Sequence, residues 1–173
     1  MSLGALLRRV SLLVALLAFA VPAVAEANFV YWTNQNESTI GRAKLNGANV
    51  NNSFVTGLND PHGIALDSKY IYWSQGDATT GSIGRARLDG SGANPNFIPH
   101  GAGVDAPFGV AVTPAAVFWA NGSNTIGRAN LDGTGPVSNF ITSAGTLCGL
   151  AADQTYLYWL RPGAGQIGRA TLS

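Results

Sequence analysis

Short apolar segments with two-residue periodicity recur along most of the chain. Gly63–Asp67 has the length of a strand and follows a proline, and Tyr70–Trp73 is rich in aromatic and β-branched residues. Ile83–Leu88 alternates between two faces, and the short segment Asn96–Ile98 ends the unit. No helical periodicity is found after residue 25. The pattern therefore predicts units of four short antiparallel strands and an all-β fold.

This unit is repeated about three and a half times. Each copy contains a Trp that follows another aromatic residue, and a short turn separates this pair from the string Ile-Gly-Arg-Ala. The tryptophans are Trp32, Trp73, Trp119 and Trp159. The strings begin at Ile40, Ile83, Ile126 and Ile167. Their spacings of 43, 43 and 41 residues are typical of the four-stranded blades of a β-propeller.

The alternation of the Ile-Gly-Arg-Ala strands gives them two different faces. Ile and Arg lie on one face, and Gly, Ala and the following Leu lie on the other. Because blades pack face to face, we expect Gly and Ala to leave room for the Tyr-Trp or Phe-Trp pair of an adjacent blade. In this interpretation all four tryptophans are structural residues.

These motifs resemble the YWTD repeats of the low-density-lipoprotein receptor family. Tyr31-Trp32-Thr33-Asn34 differs from the YWTD motif at one position, and Ile83 to Gly90 matches the family's I-x-R-A-x-L-D-G stretch. Pro61 to Asp67 matches its P-x-G-I-A-x-D stretch. The resemblance implies a six-bladed propeller that serves as a binding or spacing module. The Asp of the YWTD motif, which the resemblance implies in contacts between strands or blades, is missing from all four copies.

The repeats divide the chain into a leader and a partial propeller. Residues 1–25 combine the pair Arg8-Arg9, an apolar run and the string Ala23-Val24-Ala25, a pattern typical of a secretory signal peptide. The apolar run is shorter than the roughly 20 residues that span a bilayer. We therefore expect a secreted, extracellular or periplasmic protein without stable membrane insertion after cleavage. Residues 26–173 form the propeller part, with blades at roughly 28–58, 59–103, 104–145 and 146–173.

The propeller part contains too few repeats for six blades, which need about 250 residues at this repeat length. We expect fourteen strands in about 3.5 blades, arranged as an incomplete or open propeller. The chain is then a fragment of a longer protein, an open arc, or one half of a homodimer that closes the ring. An open arc leaves apolar faces and strand edges without cover, and terminal repeats normally need polar caps.

Charge and cysteine content exclude several classes of function. The 10 Lys and Arg residues against 9 Asp and Glu residues give no basic excess, so nucleic acid is not expected as a partner. The single cysteine, Cys148, excludes an intramolecular disulfide and a Cys-based zinc cage, and we expect it to be buried. No metal site or cofactor is expected, and the sequence contains no known catalytic motif. The exported part has only two glutamates, Glu26 and Glu37, both near its start, and two histidines, and its aspartates fall mostly in turns or at strand ends.

Two sets of residues are candidates for binding. His62, Phe108 and Cys148 occupy equivalent positions, each directly before a glycine, and we expect them to line one surface near the mouth of the central channel. Ordinary packing is the alternative for these three. The repeat arginines form either a ring of cations for an anionic ligand or pairs with backbone carbonyls or an acid of the next blade. They are Arg42, Arg85, Arg128 and Arg169.

The sequence favours a secreted interaction or scaffold module that binds protein or glycan through propeller loops. The longest loops, Gly76–Gly81 and Pro99–Asp105, are the expected contact points. The alternative is a metal-dependent enzyme, since streptogramin lyases and lactonases are similar secreted propellers, a resemblance that implies His, Glu and a divalent metal. That alternative requires at least three Asp, Glu or His side chains near His62. A truncated fragment without function is the third interpretation.

Overall fold

The computed structural model describes residues 29–142 and 145–172, and the expected signal peptide at 1–25 lies outside them. All regular elements in this part are strands, apart from one turn of 3-10 helix at Pro162–Ala164. The fourteen strands confirm the expected all-β class. They are Phe29–Asn34 (β1), Thr39–Lys44 (β2), Asn51–Val55 (β3), Pro61–Leu66 (β4), Tyr70–Gln75 (β5), Ser82–Arg87 (β6), Asn94–Ile98 (β7), Val110–Val112 (β8), Ala116–Ala120 (β9), Ile126–Asn130 (β10), Val137–Ile141 (β11), Leu150–Ala152 (β12), Tyr156–Arg161 (β13) and Gln166–Thr171 (β14).

The strands form four antiparallel sheets that follow one another along the chain. Blade 1 contains β1 to β3, blade 2 contains β4 to β7, blade 3 contains β8 to β11, and blade 4 contains β12 to β14. The blades pack in chain order through their inner strands, with β4 beside β8 and β8 beside β12. Within the described residues, blade 1 has no strand equivalent to β4, and blade 4 has none equivalent to β7. The array is therefore an incomplete propeller. Among the described residues, no helix is long and apolar enough to cross a membrane.

The repeated Trp and Gly residues form a cross-strand pair within each blade. Trp32 lies opposite Gly41, and Trp73 lies opposite Gly84. A Cβ atom built on either glycine would overlap the indole ring opposite it. The expectation that aromatic residues of an adjacent blade fill this space is therefore wrong, because the indole of the same blade already occupies it. The other two pairs are Trp119–Gly127 and Trp159–Gly168.

The indole in turn forms the contact with the preceding blade. Trp73 belongs to the same buried cluster as Tyr31 and Ile40 of blade 1. Trp119 likewise belongs to a buried cluster that includes Tyr72 and Ile83 of blade 2. Trp73 and Trp119 are both 0% exposed. A buried Trp covers on the order of 150–250 Å², so this contact supplies much of the apolar burial between blades.

The turn between β4 and β5 is closed by the side chain of Asp67. Its Oδ1 accepts hydrogen bonds from the N–H groups of Lys69 and Tyr70, each at 2.7 Å, and its Oδ2 accepts one from the Tyr72 hydroxyl at 3.0 Å. Burial and, second, the bond to Asp67 raise the pKa of Tyr72 well above its ordinary value. Asp153 makes the same contacts in blade 4. These aspartates serve the turns, which is the role that Asp commonly has there.

The Gly84→Ala variant tests the pairing of glycine with indole. Its methyl group would lie where the Trp73 indole packs, so we expect the free energy of unfolding to fall by roughly 1–3 kcal/mol, measured by urea denaturation. The double variant Gly84→Ala, Trp73→Phe should lose less than the sum of the single losses, and additivity would contradict the pairing. Gly163→Ala is the control, because a Cβ atom there meets nothing within 4 Å, and its change should stay within about 0.5 kcal/mol.

The raised pKa of Tyr72 predicts a loss of stability in alkali. The phenol of the unfolded chain ionises near pH 10, whereas the folded chain keeps the Tyr72 proton to higher pH. The contribution of this phenol is therefore fully present below about pH 10 and is lost as the pH rises through the folded pKa. Urea midpoints across this range should fall less steeply for Tyr72→Phe than for the wild type. Equal slopes in the two proteins would contradict the assignment.

Candidate functional site

A cavity of about 410 Å³ lies at the end of the array where the inner strands begin. Its lining includes His62, Phe108 and Cys148, the three residues that the repeat pattern places at equivalent positions. Thr33 and Gln35, at the end of the first Trp strand, lie on the same cavity. Along the chain, His62 and Phe108 are 46 positions apart, and Phe108 and Cys148 are 40 positions apart. The fold therefore brings together three residues that are distant in sequence. We call this cavity the mouth.

The glycines that follow the mouth residues allow the inner strands to approach one another closely. A Cβ atom on Gly63 would overlap the backbone of Phe108 and lie 2.8 Å from the amide nitrogen of Val110. A Cβ atom on Gly109 would lie 2.6 Å from the amide nitrogen of Leu150. Glycine is needed at both positions because backbone atoms, unlike a flexible side chain, cannot move aside. The spacing of the mouth residues is thus set by the packing of the strands that carry them.

Two hydroxyl groups tie the mouth residues to the preceding blade. Thr33 Oγ1 donates a hydrogen bond to the carbonyl oxygen of His62 at 2.7 Å. Ser74 Oγ donates to the carbonyl oxygen of Phe108 and accepts a bond from the N–H of Gly63 at 2.8 Å. These contacts link blade 1 to blade 2 and blade 2 to blade 3. The backbone that presents His62 and Phe108 is therefore fixed by the preceding blade at each position.

Sequence analysis did not identify these hydroxyls as part of the site. Thr33 and Ser74 each directly follow the Trp of their repeat, and a hydroxyl residue in that position is the signal that marks them. The third copy has Ala120 there, which cannot make the corresponding bond to the carbonyl of Cys148. The hydroxyl links therefore connect blade 1 to blade 2 and blade 2 to blade 3, but not blade 3 to blade 4.

The mouth combines an aromatic surface with one possible ion pair. The rings of His62 and Phe108 lie 5.2 Å apart, centroid to centroid, and are tilted by 46°. His62 Nε2 lies 3.4 Å from Asp60 Oδ2, which makes an ion pair when the imidazole is protonated. Phe108 is 40% exposed despite its large apolar side chain. The Cys148 thiol is exposed, so the expectation that it is buried is wrong, because its position before the glycine places it on the open mouth.

Metal-ligating side chains do not gather in the part of the chain that the structure describes. No group of three His, Cys, Asp or Glu residues at 29–142 and 145–172 is placed to hold a metal ion. Asp77, in one of the long loops, accepts hydrogen bonds from the side chains and N–H groups of Thr79 and Thr80. These bonds, led by that from the Thr79 side chain, lower the pKa of Asp77 to about 2. Its carboxylate thus stabilises its own loop.

The second long loop is held by an amide that occupies the place of the family's Asp. Asn121 Nδ2 donates to the carbonyl oxygen of Gly103 at 3.1 Å and to that of Ser138 at 3.2 Å. Its Oδ1 accepts a bond from the N–H of Asp105 at 3.0 Å. An asparagine therefore makes polar contacts between a loop and a sheet at the position where the family has an aspartate.

The repeat arginines lie between strands and blades and do not line the mouth. Arg42 Nη1 donates to the carbonyl oxygen of Leu88 at 3.3 Å, and Arg85 Nη1 donates to that of Leu131 at 2.8 Å. Both guanidinium groups also lie 3.8 Å from the centre of an aromatic ring of their own blade. Such stacking is favourable for a cation. The two remaining guanidinium groups also lie over rings, Arg128 at 5.8 Å from Phe140 and Arg169 at 4.7 Å from Tyr156.

The Ser74→Ala variant tests the hydroxyl link at the mouth. The Ser74 side chain, which is 0% exposed, accepts a hydrogen bond from the N–H of Gly63, and the variant removes this acceptor. Because an unpaired buried N–H is costly, we expect the free energy of unfolding to fall by about 1–3 kcal/mol. Amide hydrogen exchange in β8 should also become faster, because Phe108 loses its link to blade 2. Ser123→Ala is the matched control, since this serine is exposed and its change should stay within about 0.5 kcal/mol. Equal behaviour of the two variants would contradict the link.

Comparisons with known proteins agree with this architecture. Residues 28–68 match the family described as low-density lipoprotein receptor repeat class B. No curated protein matches the chain. The fold is similar to that of a chain in the crystal structure of a nidogen/laminin complex, with a TM-score of 0.72 and 18% identity over 84% of this chain and 56% of that one.

Two further solved structures have similar folds. Virginiamycin B lyase from Staphylococcus aureus gives a TM-score of 0.61 and 20% identity over 83% of this chain and 48% of that one. A computationally designed protein gives a TM-score of 0.63 and 9% identity over 84% and 86%. The chain thus spans about half the length of the nidogen/laminin chain and of the lyase. The predicted resemblance is confirmed at residues 28–68, which match the low-density lipoprotein receptor class B (YWTD) repeat, and the described residues form an incomplete β-propeller.

Proposed function

We propose that this chain is a secreted interaction module that binds a partner protein at the mouth. The observation that carries the proposal is the convergence of His62, Phe108 and Cys148 on one cavity of about 410 Å³. Their backbone positions are set by closely packed strands and, for the first two, by hydroxyl links from the preceding blade. A site that is already formed loses little conformational entropy when a ligand binds.

The exposed ring of Phe108 is the proposed anchor for the partner. Aromatic side chains contribute strongly to protein interfaces because they bury a large area with few rotatable bonds. His62 supports this ring from one side and adds a polar nitrogen. The binding role is assigned to these residues and to Cys148 and not to the repeat arginines, since Arg42 and Arg85 are already engaged between blades.

A protein partner is favoured over a glycan by the fold comparison. The similar chain of TM-score 0.72 comes from the crystal structure of a nidogen/laminin complex. An exposed aromatic ring also suits stacking on a sugar, so oligosaccharides are included in the test. The secretory leader at 1–25, proposed from its charged pair, apolar run and Ala-x-Ala string, would place the mouth where extracellular or periplasmic partners are found.

The lyase alternative rests on the similarity to virginiamycin B lyase. It requires three or more metal-ligating side chains near His62. Among residues 29–142 and 145–172, His62 pairs with Asp60, and no group of three such donors is found there or elsewhere. The residues of the mouth therefore support binding better than metal-dependent elimination.

The proposal is tested with a random-sequence peptide display library and, in parallel, an array of immobilised oligosaccharides. Peptides selected on the wild-type protein should bind Phe108→Ala and His62→Ala about tenfold more weakly or worse, since these residues act as anchors. Val137→Ala is the matched control, because Val137 is also a partly exposed apolar residue, at 44% exposure, but lies on β11 outside the mouth. Affinities are measured by titration with the synthetic peptide.

The outcomes of the two arms separate the possible ligands. Binding of oligosaccharides alone, with loss in Phe108→Ala, would overturn the protein partner in favour of a glycan. If neither peptides nor oligosaccharides bind in a way that depends on Phe108, the mouth is not the binding site.

A further inference from the structure

The face of blade 4 that points away from blade 3 has the residues of a blade contact, but no residue at 29–142 or 145–172 covers it. In blades 1 to 3 the first Ile of the repeat strand is 0% exposed, whereas its counterpart Ile167 is 72% exposed and the nearby Leu160 is 49% exposed. An apolar cavity of about 330 Å³ lies here, lined by Ala151, Tyr158 and Ile167 among others. We call this face the receiving face.

The receiving face matches the surface that accepts a Trp elsewhere in the molecule. In blade 2, Tyr72 and Ile83 belong to the cluster that contains Trp119, and Ala65 packs against it. Tyr158 and Ile167 occupy the positions of Tyr72 and Ile83 in the strand pairing of their blade. The cavity on blade 4 is therefore the place where the Trp of a following blade would pack.

The opposite end of the array presents the other half of the same contact. Trp32 is only partly buried, whereas Trp73 and Trp119 are 0% exposed. Leu45, which follows the repeat strand of blade 1, is 69% exposed, and Val30 is 48% exposed. Together Val30, Trp32 and Leu45 form an apolar surface that we call the inserting face.

The receiving face also carries the repeat arginine Arg169, stacked on an aromatic ring. Arg42 and Arg85 each stack on aromatic rings and donate to the carbonyl oxygen of the Leu that ends the repeat strand in the next blade. Arg169 stacks on Tyr156 in the same way, at 4.7 Å, compared with 4.3 Å for Arg85 on Tyr70. In the described part of the chain neither Arg128 nor Arg169 has such a carbonyl partner, so the bond is made at the first two joints between blades. In blade 1 the equivalent acceptor is the carbonyl of Leu45.

We propose that copies of this chain associate head to tail, with the inserting face of one copy on the receiving face of another. Trp32 enters the cavity beside Tyr158 and Ile167, and Arg169 donates to the carbonyl oxygen of Leu45. A second copy is the occupant because the chain itself carries both halves of a contact that it already makes between its own blades. The contact joins two different surfaces, so it builds either a closed ring or a longer head-to-tail assembly. It is independent of a ligand at the mouth.

Two variants that each disable one face test this assembly. Leu45→Glu places a charge on the inserting face, and Ile167→Glu places one on the receiving face, both at positions exposed enough to leave the fold intact. The proteins are expressed as the full chain and compared by sedimentation velocity over a range of concentrations. The wild type should sediment as assemblies larger than one chain, and each variant alone should associate about tenfold more weakly or worse.

The mixture of the two variants gives the decisive result. Leu45→Glu keeps a working receiving face and Ile167→Glu keeps a working inserting face, so together they should form a complex of one copy of each and nothing larger. Val137→Glu is the control, because it adds the same charge outside both faces, and it should assemble like the wild type. Circular dichroism checks that all variants retain the β fold.

Three results would overturn the proposal. The first is a wild type that stays a single chain at every concentration. The second is a pair of folded variants that associate as strongly as the wild type. The third is a mixture that forms either no complex or particles larger than one copy of each, since large particles would indicate non-specific association through apolar surface.

Discussion

The overlap of an indole ring with a glycine of the same sheet is the interaction on which the stacking of the blades depends. Glycine in a strand is unfavourable for backbone entropy and for packing, but here it leaves the space in which the ring lies. The ring then presents its outer side to the preceding blade, where Trp73 meets Tyr31 and Ile40. One cross-strand pair therefore determines both the packing inside a blade and the surface by which that blade joins its neighbour.

The strands and their assembly into blades could be predicted from the sequence because their signals are local. Two-residue alternation, aromatic and β-branched segments and the turn pairs such as Asp89-Gly90 define each strand within a few residues. The partner of each Trp was assigned wrongly because register depends on the length of the hairpin. The turn between Trp73 and Gly84 places the two opposite one another, and face alternation alone cannot distinguish that pairing from a contact between blades.

The candidate site could be predicted only in part, from the rule that equivalent positions of successive repeats lie at the same end of the propeller. That reasoning placed His62, Phe108 and Cys148 together, and the structure places them on one cavity. It did not find the hydroxyls that hold their backbone, because the bond from Thr33 to His62 joins residues 29 positions apart and that from Ser74 to Phe108 joins residues 34 apart. Contacts of this kind depend on how blades are oriented, and the trace that they leave in the sequence is the hydroxyl residue that follows the Trp in the first two copies.

The hydroxyl links also make the mouth unequal around its rim. The carbonyl groups of His62 and Phe108 accept hydrogen bonds from the preceding blade, whereas Ala120 offers none to the carbonyl of Cys148. Without this hydrogen bond, the contact between blades 3 and 4 depends on apolar packing. That packing is weaker than at the other joints, because Trp159 of blade 4 is only partly buried. The rim is therefore held firmly at the histidine and phenylalanine and less firmly at the cysteine. A ligand that needs a pre-formed surface should obtain most of its binding free energy from the first two positions.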